Sequence, residues 1–306
     1  MKKCIILHGF WFHYEMIPSC LEQFKNYDID LYISQNTEDF RNWYVIFKRL
    51  NISFNVIFSI THKNYDLVIL PTDDDKVMYN LYNEKFNGIP CYIINHLATT
   101  GNRTLIDDKY KKDIDIHGIH TLRGSNQFHF CGYNYIDVEE KFTKLSNRIS
   151  IAILGDLVNE EDNFLMDMKN RFINFEDIDF YIINRMTPYW VKEASKYPNI
   201  KLFISCNTQI MFKILEKCHY VYFFAYKRGF EIPRSSACFG CAFTTLCKIV
   251  CCERIKSMYE FTTPLYKSMN DRFFIEKITK NDLEKIKNER NFLMIETSKF
   301  ISKILE

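Results

Sequence analysis

Tyr220-Val-Tyr-Phe-Phe-Ala-Tyr-Lys-Arg-Gly-Phe-Glu-Ile-Pro-Arg-Ser-Ser-Ala-Cys-Phe-Gly-Cys241 is the stretch on which the fold turns. Its first seven residues form an unbroken apolar run, the pattern of a strand buried on both faces. The next ten, Lys227 to Ser236, are mostly polar or turn-forming. Small residues then open a short helix, and Leu246-Cys-Lys-Ile-Val-Cys-Cys252 supplies a second apolar run. Strand, loop, helix, strand is the unit from which parallel sheets are built. The loop carries Arg228, Gly229, Glu231, Arg234 and the pair Ser235 and Ser236, placed where the helix begins. Free N–H groups at a helix start attract anions, and two guanidinium groups add charge, so the loop reads as a phosphate- and sugar-handling segment. The plainer reading is a βα loop closed by a serine cap.

Outward from this unit the same alternation continues. Ile149–Leu154, Phe180–Ile183 and Ile200–Ser205 read as strands, with helices over 160–172, 188–196 and 208–218. In the first half, Lys3–Leu7, Asp30–Ser34, Phe54–Phe58, Asp66–Leu70 and Pro90–Asn95 read as strands. Helices are expected over 13–26, kinked or shortened by Pro18, over 37–50 with Thr37 as N-cap, and over 72–86 after a Thr72 cap. Residues 98–114 read as a loop, 115–133 as short strands and 137–147 as a helix. The pattern predicts two doubly wound, Rossmann-like α/β domains, 1–146 and 147–280, facing a cleft. Residues 281–306 form a final amphipathic helix with Ile286, Phe292, Leu293, Ile295, Phe300, Ile301 and Ile304 as its apolar stripe.

The 306 residues carry a net charge of only +2, which gives no electrostatic case for nucleic acid or for a membrane surface. No apolar run reaches the length of a membrane span, and the N-terminal one stops at His8-Gly9, too soon for a signal peptide. The eleven cysteines are odd in number and lie mostly in apolar runs, as buried thiols of a reducing, cytoplasmic compartment do. Cys238, Cys241, Cys251 and Cys252 lack a second pair at zinc-site spacing, so no metal ligands are assigned. The Asn-, Ile- and Lys-rich composition points to an A+T-rich genome, such as that of a large DNA virus or a protist.

The second half resembles the carboxyl-terminal domain of GT-B-fold glycosyltransferases. Asn199-Ile-Lys-Leu-Phe-Ile-Ser-Cys-Asn-Thr208 is similar to the strand and donor-base loop of that family, and Ile210 to Tyr220 to the helix and strand that follow. Arg228-Gly-Phe-Glu-Ile-Pro233 and Ser235-Ser-Ala-Cys-Phe-Gly-Cys-Ala-Phe243 resemble its glycine-rich loop and donor helix. The chain departs from the family at Ser235, where many members carry a ribose-binding Glu, and at Ala242, where Pro is common.

The resemblance implies a UDP- or GDP-linked sugar on the second domain, an acceptor glycan on the first, and a terminal helix that crosses back to the first domain. Gly155 would admit the phosphates to the backbone, and Arg185 and Arg228 would neutralise them beside Ser235 and Ser236. Asn207 and Thr208 would meet the base, Glu231 the ribose hydroxyls, and Arg234 would add charge. Ligands of such sheets bind at the carboxyl ends of strands, so His8, Asp73 and His96 are the candidate bases for an inverting transfer to a hydroxyl. No cofactor is obligatory in this reading. Asp73 and Asp75 form an Asp-x-Asp pair that would instead hold Mg²⁺ or Mn²⁺ in a GT-A-like transferase, and a non-catalytic binder of nucleotide or sugar is the other alternative. His117, His120 and His129 read as acceptor-side or surface residues. Trp11, Trp43 and Trp190 read as either core or sugar-stacking residues.

Overall fold

Strand order decides which loops meet. A computed structural model describes residues 1–9, 14–61, 64–72, 76–95, 111–115, 133–154, 164–184, 187, 190–223, 237–251 and 272–305. These fall into two units, the first drawn from 1–133 and 291–305, the second from 134–223 and 238–290.

In the first unit, β1 (Lys3–His8), β2 (Asp28–Ile33), β3 (Asn55–Ile57), β4 (Leu67–Leu70), β5 (Cys91–Asn95) and β6 (Lys111–Asp115) form one sheet. Its order is β3-β2-β1-β4-β5-β6, and each of these pairings is parallel. The helices are α1 (Ile17–Gln23), α2 (Glu38–Lys48) and α3 (Lys76–Lys85). Alternate residues of the central strands face opposite ways. Ile5, Leu7, Val68, Leu70, Cys91 and Ile93 pack with Met78, Tyr79 and Tyr82 of α3. The other set, including Cys4, Ile6, Ile69 and Tyr92, is equally buried. Each aliphatic side chain removed from water in this way contributes about 1.5–3 kcal/mol, which explains why the strands read as continuous apolar runs. Gly88 takes φ +96° in the turn from α3 into β5, a conformation that favours glycine.

The second unit repeats the plan. β7 (Ile149–Leu154), β8 (Ile178–Asn184), β9 (Ile200–Ile204), β10 (Tyr220–Tyr222) and β11 (Lys248–Val250) are ordered β11-β10-β7-β8-β9, again all parallel. They are accompanied by α4 (Val138–Lys144), α5 (Phe164–Arg171), α6 (Val191–Ala194), α7 (Thr208–Lys217) and α8 (Ala237–Thr244). Helix α9 (Lys280–Leu305) closes the chain. Among the described residues no helix is long and apolar enough to cross a membrane.

Of the two effects expected of Pro18, the helix is shortened: α1 begins at Ile17 after a 3-10 turn over Tyr14–Met16, so Pro18 occupies the first turn, where its missing N–H has no partner to lose. Two expectations require correction. Lys111–Asp115 is not loop but strand β6, pairing with all of β5. Finally, Phe292 and Ile295 do not belong to the buried stripe of α9, being 57% and 53% exposed. The buried stripe is Leu283, Ile286, Arg290, Leu293, Thr297 and Ile301, spaced by threes and fours as one helix face requires. Its two polar members are partnered. Arg290 Nη1 donates to the carbonyls of Thr244 and Ile136 at 3.3 and 3.4 Å, and Thr297 Oγ1 to Leu293 O at 2.8 Å. Near its end, Ile304 O accepts from the Tyr92 hydroxyl at 2.7 Å, within the first unit.

Candidate functional site

In an open parallel sheet, the crevice that takes ligands lies at the carboxyl ends of the two strands where the order reverses. In the first unit these are β1 and β4; in the second they are β7 and β10.

His8 ends β1. Its ring is buried, 4.6 Å from the ring of Tyr14. The His8 carbonyl accepts from Ser34 N at 3.2 Å, and Ser34 Oγ donates to Gly9 O at 2.9 Å, so the ends of β1 and β2 are tied together. The Tyr14 hydroxyl lies 3.3 Å from Thr37 Oγ1. Thr37 in turn accepts from Phe40 N at 3.1 Å and caps α2, as its sequence position predicts. Burial pushes the Tyr14 hydroxyl above the usual tyrosine range, a rise that the Thr37 contact opposes and Asp39 reinforces. It is therefore a neutral hydrogen-bonding group at ordinary pH. Thr72, two residues beyond β4, is buried. Asp73, Asp75 and His96 lie outside the described residues.

In the second unit, Asn207 Oδ1 accepts from Ile210 N at 2.9 Å and caps α7; Thr208 behind it is buried. The chain reaches them through Ser205, whose φ is +52° and whose N–H donates to Asn184 O at 2.8 Å. These residues follow β9, two strands from β7. The capping role thus claims the side-chain oxygen of Asn207, while its backbone stands at the carboxyl edge. Gly155, Arg185, Arg228, Gly229, Glu231, Arg234, Ser235 and Ser236 lie outside the described residues. The residues that flank positions 224–236 are described. Phe223, just past β10, donates its N–H to Val250 O at 2.8 Å, and its ring lies 4.6 Å from that of Phe239 in the first turn of α8. Phe223 and Phe239 thus meet just beyond the carboxyl end of β10.

Trp43 and Trp190 are buried, the first stacked on Phe47 and the second against Phe164. They are core residues and present no platform for a sugar. Trp11, His117, His120 and His129 lie outside the described residues. Among the described residues no group of three or more His, Cys, Asp and Glu side chains could hold a metal ion. The aromatic that sequence reasoning passed over is Phe58. It follows β3 at the same carboxyl edge as His8, is 49% exposed, and meets Phe40 edge-on at 6.1 Å. An apolar run shows where a strand ends but does not distinguish a covered last residue from an open one.

Two Rossmann-ordered parallel sheets followed by a long terminal helix constitute the fold of GT-B glycosyltransferases. Among solved structures, the chain is similar to the glycosyltransferase SnogD from Streptomyces nogalater, with a TM-score of 0.53 and 8% identity over 100% of both chains. It is likewise similar to AviGT4, a glycosyltransferase involved in avilamycin A biosynthesis, with a TM-score of 0.54 and 8% identity over 99% of this chain and 97% of that one. At such identity the likeness is one of fold. No protein-family model matches the sequence, and comparison with curated proteins finds no match.

Proposed function

We propose that the protein is a glycosyltransferase that moves a sugar from a UDP- or GDP-linked donor to a hydroxyl of a glycan acceptor with inversion. The observation that carries this reading is the order of the second sheet. The loop that bears Arg228, Gly229, Glu231, Arg234, Ser235 and Ser236 departs from β10, and the loop that opens with Gly155 departs from β7. Those two strands flank the reversal point.

In this reading Arg185 and Arg228 neutralise the donor diphosphate, with Ser235 and Ser236 at the start of α8 and Gly155 and Gly229 allowing close backbone approach. Glu231 takes the ribose hydroxyls, Asn207 and Thr208 meet the base, and Arg234 adds positive charge. A base at the carboxyl edge of the first sheet removes the proton of the acceptor hydroxyl as its oxygen attacks the anomeric carbon. The bond to the diphosphate oxygen breaks, and the arginines and helix dipole stabilise the departing charge. Asp73, His96 and His8 are the candidate bases, each at or shortly after the end of a strand. In this reading no metal is required, because cationic side chains perform the neutralisation. The buried cysteines Cys4, Cys20, Cys91, Cys218, Cys241, Cys247 and Cys251 suit a reducing, cytoplasmic setting. A second reading, a binder without turnover, is favoured by Ser235 standing where the family carries Glu.

A thermal-shift series with UDP-, GDP-, CDP- and ADP-linked sugars, with and without Mn²⁺, tests the reading. A ligand specific to the native state raises Tm by mass action. The expected result is a metal-independent rise with one nucleotide that Arg228→Ala abolishes. A rise that requires Mn²⁺ and vanishes in Asp73→Ala would move the donor to the first unit. Binding without transfer to any glycan would support the second reading.

A further inference from the structure

Each sheet has two outer strands, β3 and β6 in the first unit and β9 and β11 in the second. An outer strand offers unpaired N–H and C=O groups to other chains, and charged side chains, lysine above all, commonly guard it. β6 contains Lys111 and Lys112, β9 contains Lys201, and β11 contains Lys248. β3 contains no charged residue. The run around it, Asn51-Ile-Ser-Phe-Asn-Val-Ile-Phe-Ser-Ile-Thr61, has neither a charge nor a proline.

Hydrogen-bond parity shows what this edge presents. Asp28 N donates to Lys2 O and Ser34 N to His8 O, so the even-numbered residues of β2 direct their backbone groups towards β1. Leu31 therefore directs its own towards β3, where Val56 is its partner. In a parallel ladder a residue bonds to the two neighbours of its partner, here Asn55 and Ile57. The N–H and C=O of Val56 are left facing away from β2. Among the described residues no strand pairs with β3 on that side. The side chains along the edge are aromatic. Phe58, Phe40, Tyr44 and Phe54 meet in series at 6.1, 5.7 and 6.3 Å. Helix α2 thus covers the face of β3 on which Phe54 and Phe58 flank Val56, and Tyr44, Phe54, Val56 and Phe58 all remain partly open to solvent.

We infer that β3 is a dimerisation edge, pairing antiparallel with β3 of a second copy of the chain about a twofold axis at Val56. The N–H and C=O of Val56 exchange two hydrogen bonds with those of its counterpart. Phe54 comes opposite Phe58 of the second copy, an aromatic cross-strand pair that the symmetry makes twice. A charge at the axis would face itself, and the uncharged run avoids that repulsion. The twofold also sets α2 antiparallel to its counterpart on the same face of the joined sheets. With strands about 4.8 Å apart, a helix lying over β2 and β3 comes about 10 Å from its copy, a normal packing distance. The acidic first turn of one α2, Glu38 and Asp39, then approaches the basic end of the other, Lys48 and Arg49. A foreign strand could use the same backbone groups, but this match of rings and charges belongs to the chain with itself.

The test is sedimentation velocity on the full chain from about 1 to about 100 µM, where a dimer should grow with concentration. Val56→Pro removes the outward N–H and no bond to β2, a change that edge strands tolerate. Phe58→Lys charges a residue already 49% exposed. Each should weaken dimerisation at least about tenfold, with circular dichroism as the check on folding. Val77→Lys, at a residue of α3 that is 63% exposed, should leave it unchanged. In wild type, amide exchange over residues 54–58 should slow as concentration rises. Should Val56→Pro fail to fold, Phe58→Lys and the exchange data decide. A dimer that survives both edge substitutions, or that Val77→Lys weakens equally, overturns the inference. So does a monomer at every concentration. In that case a fast-exchanging Val56 amide would assign the edge to a foreign strand, and a slow one to another segment of the same chain.

Discussion

The ammonium of Lys141 donates to the carbonyl oxygen of Leu215, 74 positions further along the chain, across 2.6 Å, with no solvent at either group. The same Nζ reaches Cys218 O at 2.8 Å and Cys247 Sγ at 3.3 Å. A lysine of α4 thus adds a charged donor to the last carbonyls of α7, where i→i+4 donors run out and Leu215 O otherwise accepts from Cys218 N at 3.1 Å. Lys141→Met keeps the stem and removes the donor, leaving those carbonyls buried with less hydrogen bonding. The expected loss of stability is roughly 2–4 kcal/mol, read from the urea midpoint at constant m. A loss below about 0.5 kcal/mol, the range of ordinary surface substitutions, would show that the Cys247 thiol or water takes over the role.

His219 sets a pH limit on the second unit. Its Nδ1 accepts from Ser150 N at 3.2 Å and lies 2.8 Å from Ser150 Oγ, which places the ring proton on Nε2. Burial, then the positive charges of Lys141 and Lys277, lower its pKa from 6.5 to about 4. Unfolded, the ring takes up a proton near pH 6.5; folded, it resists until about pH 4. Stability from this residue is complete above pH 6.5, declines as pH falls towards 4, and does not decline further below that. The full effect is about 3 kcal/mol. Urea unfolding between pH 7 and pH 4 should show a steeper loss for wild type than for His219→Asn, and parallel curves would refute the assignment.

Asp30 organises the amino edge of the first sheet. Burial raises its pKa, but Tyr65 Oη at 2.7 Å, Lys3 Nζ at 2.9 Å and Asn55 Nδ2 at 3.2 Å outweigh burial and bring it below the usual carboxylate value. Its contribution is therefore present above that ordinary value and lost as pH falls through the depressed one. Tyr65→Phe should cost about 1 kcal/mol and Asp30→Asn about 2–3 kcal/mol at pH 7. The double variant should cost less than the sum, by a coupling of at least about 0.5 kcal/mol. Strict additivity would mean that the two groups do not interact.

Replacement of the candidate base should separate chemistry from binding. His8→Gln keeps a polar side chain of similar size at the end of β1. Transfer should fall by roughly 10²–10⁴-fold, with the nucleotide-dependent rise in Tm unchanged. If His8→Gln transfers at the wild-type rate and Asp73→Asn does not, the base is Asp73.

The elements legible in the sequence are those whose residues report on burial directly. Ile149–Leu154 reads as β7 because both of its faces are covered, and Thr37 and Asn207 announce α2 and α7 because a cap is a local interaction. Lys111–Asp115 escaped because it carries one apolar residue in five and joins the sheet through backbone bonds to β5, which side-chain pattern does not register. Along α9, hydrophobicity pointed to Phe292 and Ile295, yet Arg290 and Thr297 hold the buried face because backbone carbonyls accept from them. The candidate site was legible only as far as strand ends can be located. That rule drew attention to His8 and to the loop after β10, but not to Phe58, whose exposure depends on what the rest of the chain leaves uncovered.

The ring contact between Phe223 and Phe239 gives the segment it encloses a degree of evolutionary freedom. Because the two ends are joined by core aromatics, the entropy of closing the loop is met by the fold itself rather than by any ligand. Substitutions between those rings leave this core contact, and with it the pairing of β10 with β11, in place. Variation in the enclosed segment is thereby separated from the packing that holds the sheet.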